Sequence, residues 1–307
     1  MRYVITGGAG FIGSHLAEAL ALAGHELTII DDLSRGKMEH ICPLLASPRV
    51  TFTQGSILDL ELLLDVFRGA DGVFHQAAFV SVPGSIQHPQ VSHDITLTGT
   101  LNVLLAARDT GVRKVVHASS AAVYGNLPQN PKREDMPTDP LSPYAVAKHG
   151  GEEYCRVFSL LYGVSTISLR YFNVYGARQD PQSDYAAVIP RFISRLRRKR
   201  SPIIYGDGTQ TRDFVYVRDV VSANIRAMEC SAEGIFNIGS GRETSVNELA
   251  QILMGLFHYQ GKPEFEAERP GEVKRSVADI SRARSLLGWE PAYTLEKGLL
   301  DTLSSMD

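Results

Sequence analysis

The sequence predicts an α/β fold: a doubly wound parallel sheet followed by a smaller, mixed α/β C-terminal domain. Three observations predict it. Short β-branched runs alternate with helical patterns through the first half, the signature of βαβ units. A glycine-rich turn, Gly7-Gly8-Ala9-Gly10-Phe11-Ile12-Gly13, joins the first of these runs to the first helical pattern. Past about Arg170 the alternation weakens, and Pro181, Pro190, Pro202, Pro263, Pro270 and Pro291 break the chain into short elements.

Strands are expected at Tyr3–Thr6, Glu26–Asp31, Val50–Thr53, Gly72–His75, Lys114–Ala118 and Val164–Arg170. Helices are expected at Phe11–Ala23, Leu60–Phe67, Val91–Thr110 and Ser142–Leu161, with Gly24 and Gly111 suited to C-caps. Gly-Asp-Gly at 206–208 reads as a turn. The expected division is 1–170 for a dinucleotide-binding domain of the Rossmann type and 171–307 for the smaller domain, with some chain crossing back between them.

A chain of 307 residues can bury a sizeable core, and 44% hydrophobic with 21% charged residues is ordinary for a globular protein. A net charge of −3 leaves no electrostatic footprint for nucleic acid or an anionic membrane. The basic run Arg195-Leu196-Arg197-Arg198-Lys199-Arg200 lacks aromatic interleaving and reads as a solvated helix end. Cys42, Cys155 and Cys230 are far apart, which predicts buried thiols in a reducing compartment rather than disulfides or a zinc site. His75 and His117 lie in apolar runs and read as core residues; no metal is expected. No stretch reaches the roughly 18 apolar residues that span a bilayer, and the N-terminus shows no signal-peptide pattern, so the cytoplasm is the expected location.

The glycines carry the first chemistry. Gly7, Gly10 and Gly13 allow a tight turn, close approach of a pyrophosphate, and packing of helix on sheet. The helix N-terminus adds unpaired N–H groups and a positive dipole end. Asp31 closes the second expected strand at the distance where an acid meets an adenosine ribose 2′-OH, and Asp32 adds a second charge against a 2′-phosphate. Arg35 works the other way, since an arginine can accommodate that phosphate. NAD is the expected cofactor.

Tyr144-Ala145-Val146-Ala147-Lys148 lies in a helical segment, so tyrosine and lysine share one face. A phenol ordinarily titrates near about 10 and needs help to act as a base at neutral pH. An ammonium nearby, with a cationic nicotinamide ring, supplies that help. Ser119-Ser120 ends an expected strand, where open α/β sheets place ligands, and a hydroxyl there can hydrogen-bond a substrate oxygen.

With these residues in place the chain resembles the extended short-chain dehydrogenase/reductases, and within them the nucleotide-sugar 4-epimerases. The matching segments are Gly7–Gly13, His75-Gln76-Ala77-Ala78, Ser119–Gly125, Tyr144–Lys148, Arg170-Tyr171-Phe172-Asn173, Gly206-Asp207-Gly208 leading to Arg212-Asp213-Phe214, and Arg269-Pro270-Gly271-Glu272. The resemblance implies that Tyr144 is the catalytic base, that Lys148 grips the nicotinamide ribose, and that Ser120 hydrogen-bonds the sugar 4-OH. It implies a cofactor site of Gly7, Gly10, Phe11, Ile12, Gly13, Asp31, Asp32, Ser34, Gly36, Ser56, Ile57, Gln76, Ala77, Ala78, Tyr144, Lys148 and Tyr171. Asn173, Arg212 and Arg269 match positions that hold the nucleoside diphosphate; Ala187, Val188 and the segment Ile203–Tyr205 match those around the uridine. Glu272 and Ser276 complete the substrate side, and the small Ser276 stands where a tyrosine restricts relatives to glucose and galactose.

The implied reaction inverts C4 of a UDP-sugar (UDP-glucose/UDP-galactose, with UDP-N-acetylglucosamine/UDP-N-acetylgalactosamine as a second pair) through a 4-keto intermediate, with NAD tightly bound. A homodimer paired through Val91–Thr110 and Ser142–Leu161 is implied as well. Two positions depart from many relatives, Ser56 in place of Asp and Thr96 in place of Asn. The rival activities on the same scaffold are 4,6-dehydratase or decarboxylase, simple reductase, and a non-enzymatic NAD sensor. Ala121 and Ala122 stand where the dehydratase and decarboxylase relatives carry acidic residues, and alanines cannot transfer protons.

Overall fold

Seven strands, all paired in parallel, form one sheet in the order β7-β6-β5-β4-β1-β2-β3. In chain order they are β1 (Arg2–Thr6), β2 (Glu26–Asp31), β3 (Val50–Gln54), β4 (Gly72–His75), β5 (Lys114–Ser120), β6 (Ser165–Tyr171) and β7 (Gly234–Ile238). The computed structural model describes residues 1–180, 187–268 and 273–306. Helices cover both faces of a parallel sheet, so its strands read as near-continuous apolar runs. Val4, Ile5, Ile29, Val73, Phe74, Val115 and Val116 are accordingly buried.

Helix α1 (Phe11–Leu22) begins directly after Gly10, and Gly24 behind it has φ +82°. Helix α2 (Leu60–Phe67) is capped by Asp59, whose carboxylate accepts the Leu62 N–H at 3.1 Å. The helical pattern expected from Val91 starts at Pro89 and is not one regular helix. A short α-turn, Pro89–His93, passes through a π-helical turn, Asp94–Thr98, into α3 (Gly99–Thr110), which ends at Gly111 with φ +75°. Helix α4 (Pro143–Tyr162) has Pro143 at its first position and the Ser142 hydroxyl accepting the Ala145 N–H at 3.2 Å.

The six expected strands of the first half all join the sheet. The seventh, β7, comes from beyond Arg170: Gly-Ile-Phe-Asn-Ile pairs with β6 at the sheet edge. Helix α6 (Val217–Glu229) returns the chain onto α1 and β5. The remaining C-terminal segments make two-stranded pieces: Asn173–Tyr175 with Phe214–Tyr216, Thr211–Arg212 with Thr244–Ser245, and Ile203–Tyr205 with Glu264–Glu266. Helices α5 (Val188–Arg197), α7 (Val246–Leu256) and α8 (Leu295–Ser304) pack there around Phe192, Phe214, Leu249, Leu253 and Leu299. Among the described residues no helix is long and apolar enough to cross a membrane.

Two readings of single residues come out differently. Cys155 is buried and Cys230 partly so, but Cys42 is exposed; all three are free thiols. Cys42 opens a short 3-10 turn whose core-facing place is taken by Ile41. The basic run closes α5 as expected, with residues 197–200 exposed, yet Arg195 is half-buried and pairs with Glu264 at 3.0 Å.

His75 and His117 are indeed core residues, stacked with ring centroids 5.6 Å apart. Thr100 Oγ1 donates to the Thr96 carbonyl (2.6 Å), so it accepts from His75 Nε2, and His75 Nδ1 accepts from the Thr6 hydroxyl at 2.7 Å. That arrangement needs a neutral ring. Burial, and secondarily Lys148, pushes His75 down to about 3 and His117 well below its ordinary value. Burial likewise pushes His15 down to about 4, whereas the Glu152 carboxylate, 3.6 Å from the His149 ring, raises that histidine.

A histidine whose folded value lies below its unfolded value near 6.5 contributes stability that is lost as pH falls from about 6.5 toward that folded value. Three rings carry this sign and one the opposite. The urea unfolding midpoint is therefore expected to fall between pH 7 and pH 5, by on the order of 1–2 kcal/mol of stability per buried ring. A midpoint that stays flat or rises over this interval would contradict neutral burial of these rings.

Candidate active site

The carboxyl ends of the strands gather the residues singled out by sequence. Gly7 follows β1 with φ +68°, and a Cβ there would lie 2.6 Å from the Ala77 nitrogen. A Cβ on Gly13 would lie 2.2 Å from the Gly7 carbonyl oxygen, and one on Gly10 3.2 Å from the same atom. The turn is thus closed by backbone packed on backbone, with no room for side chains. Gly10 precedes Phe11 and Ile12 as the N-cap of α1 and offers no capping side chain, which leaves the helix N-terminus to a ligand.

Asp31 ends β2 beside this turn. Its carboxylate accepts the Ala9 N–H at 3.0 Å and the Leu33 N–H at 2.9 Å. Burial raises its pKa, and those hydrogen bonds work in the opposite sense. A Cβ on Gly36 would lie 2.5 Å from Asp31 Oδ1, so glycine at 36 keeps that carboxylate uncrowded. Asp32 is exposed and takes the Ser34 N–H (2.9 Å) and hydroxyl (2.6 Å); Arg35 is exposed as well. Ser56 and Ile57 sit just past β3: Gly55 N–H donates to the Asp31 carbonyl, and Ser56 Oγ accepts the Leu58 N–H at 3.2 Å.

Gln76, Ala77 and Ala78 follow β4, and Tyr171 ends β6. They are held by a residue that the sequence does not single out. Asn224 of α6, fully buried, accepts from Gln76 Nε2 at 2.9 Å and meets the Tyr171 hydroxyl at 2.7 Å, while that hydroxyl reaches Gln76 Oε1 at 3.2 Å. An asparagine within an apolar helical pattern was the available signal. Thr96, in the π-turn, accepts the Phe79 N–H at 3.1 Å and so fixes the chain just beyond Ala78.

Ser120 closes β5, with its hydroxyl accepting the Ala122 N–H at 3.2 Å. Tyr144 is buried, which raises its phenol, and the Ser120 hydroxyl works in the opposite sense. Lys148 is buried one helical turn on and donates to the Ala118 carbonyl at 2.6 Å. Burial pushes its ammonium down to about 8, with the Glu152 charge opposing. The three side chains therefore gather at one strand end, with the Ser120 hydroxyl acting on the phenol and the Lys148 ammonium on the carbonyl two residues before Ser120.

On the C-terminal side Asn173 is exposed, and its N–H is taken by the Asp213 carbonyl at 2.9 Å. Arg212 Nη1 donates to the carbonyls of Thr211 (2.8 Å) and Val273 (2.7 Å). Ala187 caps α5 and Val188 begins it; Ile203 and Tyr205 bound a short strand; Ser276 is half-buried. Arg269 and Glu272, like residues 181–186, lie outside the described residues. Asp213 was noticed only as part of Arg-Asp-Phe, yet it is fully buried. Its carboxylate accepts N–H groups of Ser240 (2.6 Å), Gly241 (3.0 Å) and Ala278 (3.0 Å), tying down the chain two residues after Ser276. Among the described residues no three His, Cys, Asp or Glu side chains gather as metal ligands do.

Comparison with known proteins agrees with this geometry. Residues 3–239 match the model of the NAD dependent epimerase/dehydratase family. The chain is 41% identical over 307 residues to the UDP-glucose 4-epimerase of Mycolicibacterium smegmatis, covering 99% of this chain and 97% of that one. It superposes with a TM-score of 0.95 on the UDP-N-acetylglucosamine 4-epimerase of Methanobrevibacter ruminantium in complex with UDP-N-acetylmuramic acid, at 38% identity over 99% of this chain and 97% of that one. The UDP-glucose 4-epimerase of Thermotoga maritima, solved with UDP-glucose, gives the same TM-score and identity over 100% and 98%. A glycine turn with no room for a Cβ at Gly7 or Gly13, an acid at the end of β2, and Ser120, Tyr144 and Lys148 gathered at the end of β5 are thus the parts of a chain that belongs to the NAD dependent epimerase/dehydratase family.

Proposed function

We propose that this protein inverts C4 of a UDP-sugar. The observation that carries the reading is the gathering of Ser120, Tyr144 and buried Lys148 at the end of β5, followed by Ala121 and Ala122. Tyr144 accepts the proton of the sugar 4-OH, and Ser120 holds the same oxygen. Lys148 holds the nicotinamide ribose and lends positive charge to the phenolate. Bound NAD would supply the hydride acceptor and, once reduced, the hydride that returns to the 4-keto sugar. Residues 121 and 122 add no acid or base, so the 4-keto sugar has no residue there to carry it on to dehydration or decarboxylation. It turns over about its bond to the diphosphate and is reduced on the other face.

The glycine turn, Phe11 and Ile12 take the pyrophosphate; Asp31, Asp32, Ser34 and Gly36 take the adenosine ribose; Ser56 and Ile57 lie toward the adenine; Gln76, Ala77, Ala78 and Tyr171 line the nicotinamide side. Asn173, Arg212 and Arg269 take the UDP phosphates, and Ala187, Val188, Ile203 and Tyr205 surround the uridine. Residues 1–170 then serve the cofactor and 171–307 the nucleotide sugar. A homodimer in the cytoplasm completes the proposal. Val91, Val146, Leu160 and Leu161, exposed on the helical segments expected to pair, support the dimer.

Incubating the purified protein with UDP-glucose and, separately, UDP-N-acetylglucosamine is expected to yield the 4-epimer of each. Tyr144→Phe is expected to keep its bound cofactor and to lose about 10²–10⁴-fold of turnover, the usual worth of a positioned acid–base group. Near-wild-type turnover in that variant would remove Tyr144 from the mechanism. Ser276 tests the sugar. As a small side chain beside the C2 substituent it leaves space for an N-acetyl group, so Ser276→Tyr should lower the ratio of N-acetylhexosamine to hexose turnover by about tenfold or more. An unchanged ratio would place the gate elsewhere.

A further inference from the structure

The polar groups left over from the site converge on Glu152, one helical turn beyond Lys148 on α4 and on the same face. Its side chain is 0% exposed. Oε1 accepts from the Ser119 hydroxyl (2.5 Å) and Arg170 Nε (2.8 Å), and Oε2 accepts from Arg170 Nη2 at 2.7 Å. Ser119 and Arg170 are themselves paired across β5 and β6, and Ser120 pairs with Tyr171 one step on. The Arg170 guanidinium lies 4.7 Å over the Tyr124 ring, whose hydroxyl donates to Asn237 of β7 at 2.7 Å. One carboxylate thus joins α4, β5 and β6, and through Tyr124 it reaches β7. It stands one residue behind Ser120 and one turn behind Lys148.

We infer that Glu152 is a positioning residue for the reaction: through Ser119 it fixes the strand end that carries Ser120, and through its charge it keeps the buried Lys148 side chain an ammonium. The inference rests on the roles proposed above for Ser120 and Lys148. The titratable groups acting on or facing Lys148 are Glu152 and Cys155 from its own helix, His75 from β4 and His117 from β5. Burial keeps both histidines neutral and pushes the Cys155 thiol up to about 12, so none of the three supplies a countercharge. Glu152 does. Burial alone would raise its pKa, but the hydrogen bonds from Arg170 and Ser119, with the His149 ring 3.6 Å away, outweigh that and hold it ionised. A purely structural staple would alter stability and leave the pH dependence of turnover alone.

The test compares pH profiles of epimerisation in the NAD-loaded protein. Glu152→Gln keeps the side-chain shape but leaves Arg170 an unpaired buried cation, which is costly to folding. The double variant Glu152→Gln, Arg170→Gln has no orphaned charge and is made beside it. In both, the limb of kcat/KM that falls with rising pH is expected to move to lower pH, because Lys148 has lost the charge that holds its proton. Ser119→Ala removes the strand contact and no charge; its kcat is expected to drop about three- to tenfold with the limb unmoved. An active wild type whose double variant keeps the wild-type limb, or whose Ser119→Ala variant keeps full kcat, overturns the inference. An inactive wild type overturns the proposed function and this inference with it.

Discussion

The buried pair of Glu152 and Arg170 is the constraint on which the catalytic corner depends. Two charges taken out of water cost several kcal/mol each, and their attraction offsets that only when geometry is good and the remaining lone pairs are used. Here the contact is bidentate, Ser119 takes a further acceptor site, and the guanidinium is covered by the Tyr124 ring. Of the guanidinium nitrogens, Nη1 is left without a hydrogen-bond partner. The pair locks helix and strands in one relative position, since any slip would leave a buried charge uncompensated. Tyr144 and Lys148 ride on the helix so fixed, and Ser120 on the strand.

From that corner the chemistry follows by exclusion as much as by provision. Ser120 passes into a 3-10 turn, Ala121–Tyr124, with its own hydroxyl capping the turn at the Ala122 N–H. The first two side chains of that turn are methyl groups, and the next two, Val123 and Tyr124, are buried. The turn therefore presents one polar atom to a substrate, the serine hydroxyl. Among the described residues this turn adds no acid or base beside the phenol and the hydroxyl, which is the set that the proposed inversion at a single carbon calls for.

Much of this was legible before any coordinates. Strand–turn–helix with Gly7, Gly10 and Gly13, Asp31 at the next strand end, and Tyr144 four residues before Lys148 are local patterns, fixed by helix and strand periodicity. All six strands of the first half come from apolar runs that a buried parallel sheet requires. What escaped depends on pairing at long range. The run at Gly234–Ile238 does not itself say that it returns to the edge of β6, 63 residues after that strand ends. The π-turn at Asp94–Thr98 leaves no mark on a helical pattern. Asn224, Asp213 and Glu152 are polar residues whose meaning lies in partners far along the chain: Gln76 and Tyr171, Ser240 and Ala278, Ser119 and Arg170.

Those three residues share one physical logic, and it explains how a mixed C-terminal region keeps register with the sheet. A buried polar group without partners costs about 1–3 kcal/mol, so each of these side chains is a penalty unless its partners are in place. Asn224 brings α6 to the loop after β4, and Asp213 brings the segments at 240–241 and 278 onto the strand that follows Arg212. Apolar packing alone would tolerate small shifts of these segments, because methyl groups are indifferent to register. Hydrogen bonds are not. The cofactor side and the sugar side are therefore aligned by polar anchors buried next to the site, and the short, proline-broken elements between them need little regular structure of their own.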